Sequence, residues 1–202
     1  MTTRARPRRP VRRPRPGSPA PVRGRFRVRS AGLGDLAVLV DHRRRMWQEI
    51  RDYRTTELDR HDASYRRWVR RGMAAGTFLA RLVVDRDGTV VASGALWLMP
   101  EQPRPGPLGR REMPYLLSMY TEPAHRGRGA ATRIVQDLVR WSRTHGYGRV
   151  LLHASAAGRS VYARLGFEPS SEMRLELRPI RRRRSYGARA SPATSPRRAP
   201  GA

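Results

Sequence analysis

The chain is predicted to fold as an α/β domain, a mixed sheet with helices on its faces, and three observations carry that expectation. Apolar residues in the middle of the chain switch between the alternation of strands and the three-to-four spacing of helices, in the order β-α-α-β-β-β-α-β-α-β. Arg86-Asp87-Gly88 separates two apolar, β-branched runs, as a hairpin turn does. A glycine-containing turn near residue 127 then joins an apolar strand to a strongly amphipathic helix.

Phe26-Arg27-Val28-Arg29 alternates like a short first strand. Gly34-Asp35 offers an N-cap ahead of Leu36, Leu39, Val40 and Met46-Trp47, which predicts a helix. Tyr65, Trp68, Val69 and Met73 set a second helix between Leu58 and Ala75, and Gly76 ends it. The hairpin strands are Thr77 to Asp85 and Thr89 to Met99. A Pro/Gly-rich loop, Pro100 to Gly109, leads to a strand from Pro114 to Thr121. From Gly129 to His145, Ala131, Ile134, Leu138 and Trp141 share one helical face, with Arg133, Asp137 and Arg140 turned away. Arg149 to His153 reads as a buried strand, Ser160 to Leu165 as a short helix and Met173 to Leu177 as a last alternating strand.

At 202 residues there is length for one core, yet the hydrophobic fraction is only 38%. The ends account for the shortfall. Residues 1–25 hold nine Arg and no acid among many Pro, and residues 181–202 hold seven Arg and no acid. Without them the formal charge drops from +27 to +11 on the middle segment. Self-repelling Arg-Pro sequence has little to bury, so residues 1–25 and 181–202 are expected to be disordered tails around a domain spanning 26–180. Two readings of the tails stand side by side: electrostatic attachment to nucleic acid or another polyanion, or solvated ends. No aromatic residue interrupts the arginines of the first tail, so a base-stacking surface is missing there.

All 43 basic residues are arginine and there is no Cys, which excludes disulfides, thiolate catalysis and zinc–sulfur sites. No apolar run approaches a membrane span, and no apolar stretch follows the basic N-terminus as in a secretory signal. The expectation is a cytoplasmic protein with no membrane partner, monomeric or homodimeric. The five His are scattered away from carboxylates at ligand spacing, so no metal site is expected.

The chemistry concentrates at Tyr120-Thr121-Glu122-Pro123-Ala124-His125-Arg126-Gly127-Arg128-Gly129-Ala130-Ala131. A helix beginning there presents unpaired N–H groups and the positive end of its dipole. Gly127 and Gly129 remove side chains that would hold a phosphate away, and Arg126 and Arg128 add charge. Neither a Walker ending nor a three-glycine dinucleotide fingerprint is present. On residues alone this is a phosphate-binding turn or a tight surface turn.

Arg126-x-x-Gly129-x-Ala131 resembles the Q/R-x-x-G-x-G/A signature of the GNAT superfamily of N-acetyltransferases. The Tyr162-Ala163-Arg164-Leu165-Gly166-Phe167 segment resembles that family's Tyr-x-x-x-Gly-Phe element. The resemblance is sharpest from Tyr115 to Leu177. It implies a GNAT-type acyl-CoA N-acyltransferase fold, with a mostly antiparallel central sheet and helices on both faces. It implies that Arg126, Gly127, Arg128, Gly129, Ala130 and Ala131 contact the pyrophosphate of acetyl-CoA, largely through backbone N–H groups. Met119, Tyr120 and Thr121 would offer main-chain partners to the pantetheine arm, inserted between strands 114–121 and 149–153 where they splay. Tyr162 resembles the family tyrosine that protonates the departing thiolate. Many relatives carry Asn where this chain has Ser155.

The implied reaction moves an acetyl group from acetyl-CoA to a primary amine by direct attack, with no metal. Such a reaction wants a donor to the carbonyl oxygen, such as the Tyr120 N–H, and a base for the ammonium proton. Glu112 is a candidate base or a solvated loop glutamate, and Tyr162 a proton donor or a packing residue. Glu122 is read as stabilising the turn. His125 and His153 are read as cleft or edge residues. The alternative overall reading is a catalytically weak module of this type whose tails hold a polyanion. Arginine density from Arg43 to Arg71 favours an acceptor bearing a carboxylate or phosphate.

Overall fold

A computed structural model describes residues 26–51, 53–102 and 112–175. Both arginine-rich ends and most of the Pro/Gly loop therefore lie outside the described residues. The chain divides into two units, Met1–Glu168 and Pro169–Ala202.

The first unit holds a five-stranded sheet in sequential order: β1 (Arg27–Ser30), β2 (Phe78–Val84), β3 (Val90–Pro100), β4 (Glu112–Thr121) and β5 (Leu151–Leu152). Every neighbouring pair is antiparallel except β4–β5, which is parallel. The predicted hairpin forms between β2 and β3. Asp85 Oδ1 accepts the N–H groups of Asp87 and Thr89, both at 3.0 Å, and Gly88 takes the left-handed conformation that closes the turn.

Because side chains alternate across a strand, adjacent residues of β2 feed two cores. On one face Phe78, Ala80 and Leu82 pack with Leu36, Leu39 and Val40 of α1 (Leu36–Ile50) and Tyr65 and Val69 of α2 (Thr55–Ala74). On the other, Val83, Val91 and Leu96 meet Ile134, Val135 and Leu138 of α3 (Ala130–Thr144). Helices thus cover both faces, as expected. The stripe of α3 is rotated slightly from its predicted position: Ala130, Val135 and Ser142 are buried, and Trp141 lies at the margin, stacked on His145. Asp137 does not face away; it holds Arg81 of β2 at 2.5 Å. An amphipathic pattern ranks residues by hydropathy, and a carboxylate beside a strand arginine is invisible to it.

β1 is fastened to the α1 entrance by Asp35, which takes both guanidinium nitrogens of Arg29 at 2.8 and 2.7 Å and the N–H of Gly32 at 2.9 Å. The strand expected at 149–153 shrinks to two paired residues. The last strand, expected at Met173 to Leu177, is not formed over residues 173–175, where Met173 and Leu175 are exposed and pair with no neighbour in the sheet; residues 176–177 lie outside the described residues.

One irregularity shapes the site. Ser93 pairs with Tyr120 and Ala95 with Leu117, so Ser118 and Met119 together oppose Gly94. Ser118 has φ of +52°, a left-handed value rare for a residue with a side chain. The Met119 sulfur fills the space above Gly94, where a Cβ would lie 2.1 Å from it and 2.9 Å from Ile134 Cγ2. Gly94→Val is therefore expected to destabilise the fold by about 2–3 kcal/mol, through overpacking between β4 and α3. Urea unfolding of the variant against the parent measures it, and an unchanged midpoint refutes the role given to Gly94.

Candidate active site

The turn between β4 and α3 is built as its residue types require. After β4, Pro123–His125 forms one 3₁₀ turn, Arg126 is extended, and Gly127 and Gly129 adopt φ of +71° and +86°. Only glycine takes such values without strain. A Cβ at either position would meet nothing within 4 Å, so backbone conformation and not crowding selects glycine, and the space above the turn is free. Gly129 is the N-cap of α3 and no side chain caps that end, leaving the first-turn N–H groups facing this space. Arg126, Gly127, Arg128 and Gly129 are exposed, and Ala130, the first residue of α3, is buried.

The two arginines of the turn differ. Arg126 folds back: its Nε donates to the Thr121 carbonyl at 2.9 Å and its terminal nitrogen to Glu49 of α1 at 2.6 Å. Arg128 makes no ion pair among the described residues. Glu122 stabilises the turn, as expected, by accepting from Arg45 at 2.7 Å while lying 3.5 Å from His42 Nε2. His42, in turn, meets Ser93 Oγ at 2.9 Å through Nδ1. This Ser93–His42–Glu122 chain, buried at Ser93 and His42, joins β3, α1 and the turn, and single residues in the sequence gave no sign of it.

Beside the turn, the sheet opens. β5 pairs with β4 only at Tyr115–Leu151 and Leu116–Leu152. From Leu117 to Thr121, β4 keeps β3 on one side and has no strand on the other among the described residues. Met119, Tyr120 and Thr121 all lie in this released stretch. Past β5 the chain turns at Ser155, whose Oγ accepts the Gly158 N–H at 3.2 Å and whose carbonyl accepts from Gly158 and Arg159, both at 3.1 Å. Ser155 thereby closes the turn that leads into α4 (Arg159–Arg164), whose N-cap is Gly158.

Tyr162, on α4, is half-buried against the α3 core, edge-on to Phe167 at 5.8 Å. Ser155 and Tyr162 flank the same point: a Cβ on Gly158 would lie 3.3 Å from Ser155 Oγ and 3.0 Å from the tyrosine ring. Its hydroxyl has no hydrogen-bond partner among the described residues, and burial raises its pKa, keeping the phenol protonated. Glu112 opens β4 opposite Pro100, at the far end from the turn. Six residues of strand, about 20 Å, separate it from Ser118.

Three features at the opening were not anticipated. The Tyr115 hydroxyl is hydrogen-bonded to His153 Nδ1 across β4 and β5, where their pairing ends. Tyr65 of α2 donates to Ser118 Oγ at 3.2 Å. Arg43 of α1 lies over the Tyr65 ring, 4.2 Å from its centroid. The matching parity of Tyr115 and His153 on paired strands was the available signal for the first. The others depend on how α1 and α2 cross β4.

An uncapped helix N-terminus thus follows a strand that parts from its neighbour. The chain belongs to the acetyltransferase (GNAT) family, whose model matches residues 43–167. It is 31% identical over 91 residues to a glucosamine 6-phosphate N-acetyltransferase of Trypanosoma brucei brucei, an alignment covering 45% of this chain and 59% of that protein. A GCN5-related N-acetyltransferase from Ralstonia eutropha superposes with a TM-score of 0.67 at 25% identity, covering 75% of this chain and 98% of that one. A predicted acetyltransferase from Clostridium acetobutylicum, solved with acetyl-CoA, gives 0.66 at 25% identity over 76% and 96% of the two chains.

Burial lowers the pKa of His42, the Glu122 charge opposing it only in part. The folded state thus prefers neutral His42, and this contribution to stability is present above the unfolded pKa of about 6.5 and lost as pH falls below it. The melting temperature is expected to fall between about pH 7.5 and 5.5 by a larger margin in the parent than in His42→Asn. Equal slopes would remove His42 from the acid response.

Proposed function

We propose that the chain transfers an acetyl group from acetyl-CoA to a primary amine by direct attack. The observation that carries this reading is the loss of β5 pairing after Leu116, immediately beside an uncapped helix N-terminus. Acetyl-CoA fits both halves: its diphosphate suits the N–H groups from Gly127 to Ala131, and its pantetheine amides suit the released main chain of Met119, Tyr120 and Thr121. The space free above Gly127 and Gly129 supports a diphosphate there, and Arg128, which makes no ion pair among the described residues, would add charge. Arg126, already bound to Thr121 and Glu49, contributes by holding the turn.

Bound acetyl-CoA would supply the thioester; the protein's residues align the amine and manage protons. A main-chain N–H on the open edge of β4 would donate to the carbonyl oxygen as negative charge develops there. Tyr162, kept protonated by burial, returns a proton to the departing thiolate. Ser155 supports it by fixing the start of α4. The ammonium proton must leave before attack. Glu112 would need a chain of waters to reach the thioester, and the Tyr115–His153 pair, where the strands part, stands nearer. The name of the trypanosomal relative makes an amino-sugar phosphate a sensible acceptor to assay first.

Acetyl-CoA at about 100 times its Kd is expected to stabilise the protein by about 2.7 kcal/mol, read as a rise in melting temperature. Gly129→Val should abolish that rise, since it strains the left-handed N-cap and fills the space above it. Absence of a shift in the parent refutes the proposal. Tyr162→Phe should keep the shift and lower turnover by about 100-fold; undiminished turnover excludes Tyr162 as proton donor.

A further inference from the structure

We propose that Arg43 is an anion subsite for the acceptor, so that the preferred amine carries a phosphate or carboxylate. The inference rests on the acetyltransferase reading and specifies its substrate. Three consecutive arginines on α1 differ in their surroundings. Arg44 holds Asp59 and Asp62, both at 2.7 Å, and Arg45 holds Asp41 and Glu122, both at 2.7 Å. Arg43, half-buried between them, forms no ion pair or hydrogen bond among the described residues. Its guanidinium lies 4.2 Å from the Tyr65 ring centroid and 5.8 Å from that of Trp47.

A buried cation without an anion is costly, and aromatic faces offset that only in part. Asp62 attracts Arg43 through space, but its one paired oxygen goes to Arg44, and the other is buried without a hydrogen-bond partner. Burial lowers the Arg43 pKa, which marks the same desolvated, unneutralised charge. Tyr65 connects this charge to the opening in the sheet. Its ring supports the guanidinium, and its hydroxyl donates to Ser118 Oγ in the stretch of β4 that β5 leaves. Pressed on two rings, the planar fork has few rotamers to lose and can engage two oxygens of one anion at once.

The test compares matched acceptors: ethanolamine with O-phosphoethanolamine, and propylamine with β-alanine. Each is assayed for acetyl transfer and, separately, for binding by the fluorescence change of Trp47, with Trp47→Phe as the background. In the parent, the anionic member of at least one pair is expected to have a KM about tenfold lower than its neutral partner. Arg43→Gln should erase that difference and leave the neutral amines and the acetyl-CoA thermal shift unchanged. Arg43→Lys, which keeps charge without the fork, should retain part of it and serves if the glutamine variant does not fold. A preference within the first pair alone identifies phosphate, and within the second alone carboxylate. Equal losses for neutral and anionic acceptors, or no anion preference in the parent, overturn the proposal. If no amine is acetylated, anion-dependent binding that vanishes in Arg43→Gln upholds the subsite while the acetyl-transfer reading fails; binding with no such dependence overturns the subsite as well.

Discussion

The site depends on the separation of two parallel strands after two residue pairs. Within a sheet, each strand satisfies the backbone groups of its neighbours, and unpaired groups shielded from water are expensive. Here β4 runs five residues beyond its last partner in β5. What draws β5 away is local and physical. Ser155 closes the turn into α4, and Tyr162, Leu165 and Phe167 then pack against the face of α3. The chain after Leu152 is committed to that helix and cannot also follow β4.

The other side of β4 responds to the same demand. Two residues opposite Gly94 turn the strand at the level where the gap begins. Met119 is directed to the α3 core and Ser118 to Tyr65. A bulge of this kind re-aims side chains without changing the order of the sheet. Position 94 must stay bare because the methionine sulfur already occupies the volume a side chain would need. α1 is tied to the turn through Arg45–Glu122, His42–Glu122 and Glu49–Arg126. One helix therefore fixes the turn that follows β4.

Much of this could be read from the sequence where local rules decide. The hairpin followed from Asp87-Gly88, since few other turns accommodate that pair. The turn before α3 followed from two glycines between a strand and an amphipathic helix, and both adopt the left-handed backbone that glycine permits. The two-motif resemblance led to the family that the comparisons also give. What escaped were the features set by distance across the fold. Arg43 has the same local neighbourhood as Arg44 and Arg45, and only the crossing of α1 over α2 separates it from them. The length of β5 was overestimated because an apolar run records burial and not pairing. Residues 173–175 alternate as a strand would, yet no strand forms over them, and alternation alone does not make one. Glu112 was placed by proximity in sequence, which a strand converts into distance.

A strand edge that welcomes a ligand's amides would also welcome the edge of another molecule, the usual origin of intermolecular sheet growth. Two features described above guard against it. The left-handed Ser118 breaks the regular spacing of donors and acceptors, so a flat incoming strand cannot keep register along β4. The formal charge of +27 makes approaching copies repel one another. The kink in β4 thus also bears on how copies of this molecule meet, and a straightened β4 would offer the next strand a regular edge.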